Sequence, residues 1–242
     1  QDLGNVMLYN INNSLAFNTQ YFWTIVPFNQ AGDAVNCPVW SFITLADPAI
    51  TQFPWQENFD AFPGMITPLG WTVLNLNNDT ATWKTISNPN TTDIAYSQPT
   101  ALHCPFSFST TQDDWIFTPP MTLTAGNQYY LTFKYHIMTS PEGADLPEKL
   151  EVKWGNAPTV EAMNSETLYS NTNMTNVNYM TAEAVFTPTQ NGTFHVGFHC
   201  FSDPMMWLLI LDDIKITEAL SQNDVLSKPV VLNQNYPNPF NP

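Results

Sequence analysis

The sequence predicts an all-β chain of antiparallel sandwich type. Three observations carry this: apolar residues recur at every second position, turn residues separate those runs, and proline is spread over 20 of 242 positions. The run YYLTFKYHI (129–137) sets Leu131, Phe133, Tyr135 and Ile137 against Tyr130, Thr132, Lys134 and His136. KLEVKW (149–154) sets Leu150, Val152 and Trp154 against Glu151 and Lys153. Such alternation buries one face of a strand and leaves the other in water. GTFHVGFHCF (192–201) and LLILDDIKI (208–216) repeat it, with NPNTT, TSPEG and TPTQNG as punctuation. No stretch carries a helical stripe of useful length.

Composition bounds the rest. A chain with 43% hydrophobic and 14% aromatic residues has ample material for a packed core. Six Lys and Arg against 21 Asp and Glu give a formal charge of −15, which repels phosphate backbones and anionic lipid, so nucleic acid is excluded as a partner. No run reaches the ~18 apolar residues of a membrane-spanning helix, and MMWLLIL (205–211) meets Asp212 and Asp213 at once, so direct membrane insertion is not expected. Residues 1–20 lack the basic start and apolar run of a signal peptide.

Two shifts in composition divide the chain. TLADPAITQFPW (44–55) reads as a connector, and after Ile216 the alternation decays into TEALSQNDVLSKP. The expected organisation is 1–46, a linker at 47–52, a central domain at 53–218, and a final segment at 219–242. The first piece is shorter than the ~100 residues a sandwich takes and reads as the last three strands of something larger. Near the end, Pro237, Pro239 and Pro242 exclude a helix or a central strand and predict an extended entry segment.

Three resemblances follow from these residues. LAFNTQYFWTIVPFNQAGDAVNCPVWSFIT (15–44) resembles the closing strands of a fibronectin type III domain. ENFDAFPGMITPLGW (57–71), DDWIFTPPMTL (113–123), PEKLEV (147–152), GNAPT (155–159), VGFHCFS (196–202) and LDDIKI (211–216), in that order, resemble the cleaved-adhesin or choice-of-anchor J domain, which implies a jelly-roll β-sandwich over 53–218. VVLNQNYPNPFNP (230–242) is similar to the opening of the C-terminal sorting domain of the type IX secretion system, which implies a secreted or cell-surface protein.

The central domain offers one candidate for cation chemistry. On strand parity Trp55, Glu57 and Phe59 share a face, as do Ile210, Asp212, Ile214 and Ile216, so two carboxylates are expected to point coreward. Two buried carboxylates repel each other and resist ionisation, and Ca²⁺, which takes six to eight oxygens, would relieve both. The resemblance also implies such a structural ion. Asp60, Asp79, Asp114 and Asp213 are the further candidate ligands, Asp79 within NLNNDT (75–80), where Asn75, Asn77 and Asp79 alternate as in a calcium loop. The bland alternative is that Glu57 is solvated and Asp212 caps a turn.

A catalytic reading finds less support. His195 and His199 share a face, but four residues at about 3.3 Å put them roughly 13 Å apart, too far for one metal. His103 and Cys104 are neighbours on a strand and point to opposite faces. Cys104 and Cys200 both face the core and are candidates for a disulfide or for two buried thiols, while Cys37 lies in the first piece. Trp83, Tyr169, Tyr179 and Trp207 are candidate aromatic platforms for a sugar ring, against the alternative that they are core. Sequons at Asn12, Asn78, Asn90, Asn173 and Asn191 mark surface loops, and DTA (79–81) resembles a short bacterial O-glycosylation signal.

The resulting expectation is a non-catalytic, adhesin-like binding or spacer module that takes a glycan or protein at a cell surface. Two alternatives stand beside it: the ancillary domain of an exported peptidase or glycosidase, and a structural subunit that meets sister subunits in an extracellular fibre or surface layer.

Overall fold

The computed structural model describes residues 3–11, 14–87 and 94–219. The tail segment 230–242 and the sequons at Asn12 and Asn90 lie outside the described residues. Two compact units divide at Pro48 and Ala49.

The first unit contains β1 (Gln20–Thr24), β2 (Phe28–Asn29), β3 (Gly32–Asp33) and β4 (Val39–Ile43). β1 and β4 pair antiparallel, Trp23 opposite Trp40 with rings stacked at 4.6 Å and Tyr21 opposite Phe42 at 5.8 Å. β2 and β3 form a short hairpin, where Gly32 takes a φ of 117° that a side chain would resist. The predicted three strands are thus a two-stranded ladder plus a hairpin. Phe22 and Ile43 on this ladder are exposed.

The second unit is an antiparallel β-sandwich of jelly-roll type. Its strands are β5 (Trp55–Glu57), β6 (Thr72–Asn75), β7 (Lys84–Ser87), β8 (Thr100–Pro105), β9 (Asp114–Phe117), β10 (Met121–Leu123), β11 (Tyr129–Met138), β12 (Glu148–Gly155), β13 (Thr167–Met174), β14 (Met180–Phe186), β15 (Gly192–Cys200) and β16 (Leu208–Glu218). One sheet runs β13-β12-β15-β9-β6 with β10 also on β15, and the other runs β14-β11-β16-β8-β7 with β5 also on β16. Ile50, read from the sequence as linker, already belongs here: it bridges Met121 and is a core residue.

The alternation seen in the sequence places the core. Leu131, Phe133 and Ile137 of β11 face Val152, Val196 and Phe198 across the sandwich, all essentially without solvent contact. At ~25 cal/mol per Å² of apolar surface removed from water, this double layer is the main stabilising term of the unit. Gly155 is required by packing, since a Cβ there would lie 1.8 Å from the carbonyl oxygen of Ala162.

One strand departs from simple alternation. Leu211 pairs with Tyr135 and Asp212 with Lys134, but Lys215 pairs with Thr132, so β16 carries an extra residue. Asp213, at φ 46°, is the bulged position. The insertion inverts parity: Leu209 and Leu211 face the main core, Ile214 and Ile216 do so beyond the bulge, and Ile210 packs with Ala95 and Ala101 in a small cluster on the outer side. The expectation that Ile210, Asp212, Ile214 and Ile216 share one face is therefore corrected.

Candidate functional site

A groove of about 500 Å³ opens where the end of β11 meets the loop between β13 and β14, lined by His136, Met138, Thr139, Val177, Asn178 and Tyr179 among others. Hydrogen bonds onto backbone carbonyls define it: Ile137 N donates to Asn176 O (2.9 Å), Asn176 Nδ2 to Tyr135 O (3.2 Å) and His136 Nδ1 to Val177 O (3.1 Å). The Tyr179 ring rests on His136 at 4.1 Å and meets Tyr96 edge-on at 5.4 Å, while its hydroxyl donates to Ile94 O (2.8 Å). Burial, with the Asp212 and Asp213 carboxylates nearby, pushes the Tyr179 phenol well up, so it stays neutral. Tyr96 is half exposed, with Lys134 Nζ 4.5 Å above its ring.

Asp212 holds this arrangement from beneath. Its Oδ2 accepts from the amides of Tyr96 (2.8 Å) and Ser97 (3.0 Å), and its Oδ1 accepts from Asp213 N (2.7 Å). Burial pushes its pKa up to about 7, against the pull of the three amide donors. Asp213 Oδ1 accepts from Ser97 Oγ (2.9 Å) and Gln56 Nε2 (3.3 Å). The two aspartates thus tie the loop that carries Tyr96 to the bulge of β16.

Of the four aromatic platforms predicted, Tyr179 alone lines the groove. Trp83 is corrected: it is fully buried, and its Nε1 donates to Asp114 O (2.9 Å), so it anchors β7 to β9 inside the sandwich. Tyr169 stands opposite Val152 on the inner face and packs on Phe133 and Tyr135 at the sheet edge. Trp207 is half-buried against Phe106, and its amide donates to Glu148 Oε1 (2.8 Å). Tyr96 and Lys134 were not anticipated: Tyr96 lies in a turn-rich stretch without periodicity, and Lys134 reads as an ordinary solvent-facing strand residue.

The cation candidates separate into a pair that does not meet and a set that does. Glu57 is opposite Ile214 and shares its inner face, whereas the bulge sends Asp212 to the outer face beside Lys134. Glu57 Oε1 accepts from Phe59 N (2.8 Å), and Asp60 from Thr100 N (3.2 Å) and Asn58 Nδ2 (2.7 Å). These residues, with Asp213, are occupied with fold contacts and do not fit one ion.

Asp114 differs. It faces Asn75 across the β6–β9 ladder, is without solvent contact, and both of its carboxylate oxygens lack a hydrogen-bond partner among the described residues. Asn75 Oδ1 and Thr82 Oγ1 are buried and equally unpartnered, and Thr82 approaches Asp114. Burial above all pushes the Asp114 carboxyl up from 3.8 to about 7; the nearby Asp79 and Asp113 charges add to this, and the Thr82 hydroxyl and the Asp113 amide, close to the carboxyl but outside hydrogen-bond geometry, pull only weakly against it. Asp79 itself closes the adjoining loop, accepting from Ala81 N (2.8 Å), Thr110 Oγ1 (2.7 Å) and Asn77 Nδ2 (3.2 Å). Unsatisfied buried oxygens are rare and costly, and several in one place fit a hard cation. Among the described residues no three His, Cys, Asp or Glu side chains converge in this way, so the set is a carboxylate completed by amide and hydroxyl oxygens.

The histidines serve the fold. His103 Nδ1 donates to Lys84 O (3.0 Å) and His195 Nδ1 to Thr118 O (2.8 Å); burial pushes His103 down to about 4. His199 stacks on Trp115 at 4.3 Å and bonds Asp113 Oδ1 (2.9 Å), yet burial still lowers its pKa.

No protein-family model matches the sequence, and no curated protein matches it. Solved structures do. The K1 cleaved adhesin domain of Lys-gingipain from Porphyromonas gingivalis W83 superposes with a TM-score of 0.53 at 15% identity, over 69% of this chain and 98% of that domain. The jelly roll has the fold of a cleaved adhesin domain. The K2 and K3 domains of Lys-gingipain agree, with TM-scores of 0.53 and 0.51 at 14% and 15% identity; they cover 67% and 68% of this chain and 98% and 96% of their own.

Proposed function

We propose that the chain is a non-catalytic, adhesin-like binding module that works outside the cell, exported on a type IX route, and that it takes a neutral glycan in the groove at Tyr96 and Tyr179. One observation carries the site: a groove lined by Tyr179 and the open Asn178 side chain, with the half-exposed Tyr96 ring edge-on to Tyr179. A sugar ring offers apolar C–H faces to an aromatic ring and hydroxyls to an amide. The charge of −15 argues against anionic polymers. A glycan array probed with the intact chain, followed by calorimetric titration of the hits, tests this. Tyr96→Ala and Tyr179→Ala are expected to weaken binding at least about tenfold, the equivalent of ~1.4 kcal/mol, with the melting temperature of Tyr96→Ala unchanged. Binding that survives both substitutions, or no glycan bound at all, refutes it.

A structural Ca²⁺ belongs to the same proposal, held by Asp114, Asn75 and Thr82 and not by Glu57 and Asp212. The unpartnered buried oxygens support it. Bound there, the ion would neutralise the Asp114 charge and pin the loop 75–82 to β9. Chelation is expected to lower the melting temperature and added calcium to restore it; no bound ion by elemental analysis together with an indifferent melting temperature refutes it.

A further inference from the structure

We propose that Cys104 and Cys200 form a disulfide that ties the two sheets of the jelly roll together. Cys104 lies on β8 and Cys200 on β15, strands of different sheets, and both point into the one core between them, each 1% exposed. Both are free thiols in the structure, and they lie near enough for Cys200 to act on the ionisation of Cys104. A common scaffold holds them. Gln112 Nε2 donates to Cys104 Sγ (3.9 Å), Cys200 Sγ contacts Ser202 Oγ (3.6 Å), and Gln112 N donates to Ser202 O (2.9 Å). Cys37 lies in the other unit, its Sγ 3.5 Å from Ala34 O.

The chemistry needs a disulfide oxidant, such as oxidised glutathione. One cysteine, as thiolate, attacks an oxidant sulfur and releases one reduced thiol. The second cysteine then attacks the mixed disulfide, forming the Cys104–Cys200 bond and releasing the other thiol. Two protons and two electrons leave the pair with the reduced oxidant. In the closed fold burial pushes the Cys104 thiol well up, the nearby Cys200, Asp114 and Glu148 adding to the effect, so thiolate is scarce there. The bond therefore forms while the sheets are still open during folding. Once enclosed, it resists reductants until the protein unfolds.

The test uses the full chain with Cys37→Ser, refolded through a glutathione redox buffer. The intact mass should be lower by two hydrogens than that of the reduced form, and a digest without reductant should link the Cys104 peptide to the Cys200 peptide. Reductant alone should leave the bond intact, and reductant with denaturant should break it. The bond closes a loop of about 100 residues, so the reduced, refolded protein should melt about 10–20 °C lower than the oxidised one. Cys200→Ala in the same background should lose this response to oxidation. Alkylation of both cysteines after oxidative refolding overturns the proposal, as do equal melting temperatures for the oxidised and reduced forms.

Discussion

Replacing Asp114 by Asn should stabilise the cation-free protein and abolish its response to calcium. The Asp114 carboxyl is held at about 7 against 3.8 in an unrestrained chain. At ~1.4 kcal/mol per pKa unit, its ionised form then destabilises the cation-free fold by up to about 4 kcal/mol at neutral pH. Asn has the same shape without the charge, but leaves its own buried amide poorly paired at about 1–3 kcal/mol. The net gain is about 2 kcal/mol, a rise of about 4–8 °C in melting temperature for a unit of this size. Calcium at a hundredfold excess over its dissociation constant stabilises the parent by about 2.7 kcal/mol and the variant hardly at all. Scanning calorimetry at neutral pH should therefore show the variant above the parent in chelator and the order lost or reversed in calcium. A variant less stable than the parent in chelator would show that the carboxylate already has a partner, and the reasoning would fail.

Three further outcomes follow from other parts of the fold. Asp212→Ala removes the acceptor of the Tyr96 and Ser97 amides and should cost about 2–4 kcal/mol, equally in chelator and in calcium; a calcium-dependent loss would restore Asp212 as a cation ligand. Asp114, Glu148 and Asp212 are all raised to about 7, so the cation-free fold gains stability as pH falls through 7. His103, lowered to about 4 from 6.5, gives stability back below 6.5. Three groups gain for the one that loses, so melting in chelator should keep rising as pH falls to about 4–5, where the ordinary carboxyl values are reached, and a steady rise toward alkaline pH contradicts this. Gly155→Ala drives a Cβ into the Ala162 carbonyl and should cost about 3 kcal/mol or more; denaturant melts showing under 1 kcal/mol would mean the 156–163 turn yields freely.

The fold was legible in the sequence wherever alternation ran unbroken, as along β11, β12 and β15, because a strand packed on one face must repeat every two residues. The bulge was not legible. LLILDDIKI alternates plausibly through Asp212 and Asp213, and no glycine marks the positive φ that Asp213 adopts. That one hidden residue produced the mistaken pairing of Glu57 with Asp212. The Asn75 loop and Asp114 were both recognised, but as separate candidates: the ladder between β6 and β9 joins them, and Thr82 has no signature of its own. Trp83 read as a candidate platform because it precedes a strand of only four residues, too short to show which face is buried. The candidate site joins the groove at Tyr179 to Tyr96 and Lys134 beside it, residues brought together only by pairings among β11, β14 and β16 and by the Asp212 anchor.

The neighbouring first and last strands of the jelly roll have a mechanical consequence. β5 and β16 are antiparallel, joined at Trp55–Ile216, Gln56–Lys215 and Glu57–Ile214, so the chain enters and leaves the sandwich at the same end of one ladder. Tension on the flanking segments would act across these pairs and open them one at a time, a peeling geometry that yields at lower force than shearing a whole strand. The first resistance is the Ile50 clasp, whose amide donates to Pro120 O (2.7 Å) and whose carbonyl accepts from Thr122 N (2.9 Å). A module pulled through its ends would give way there first and pay out slack from its edge while the double layer behind β11 and β15 stays shut.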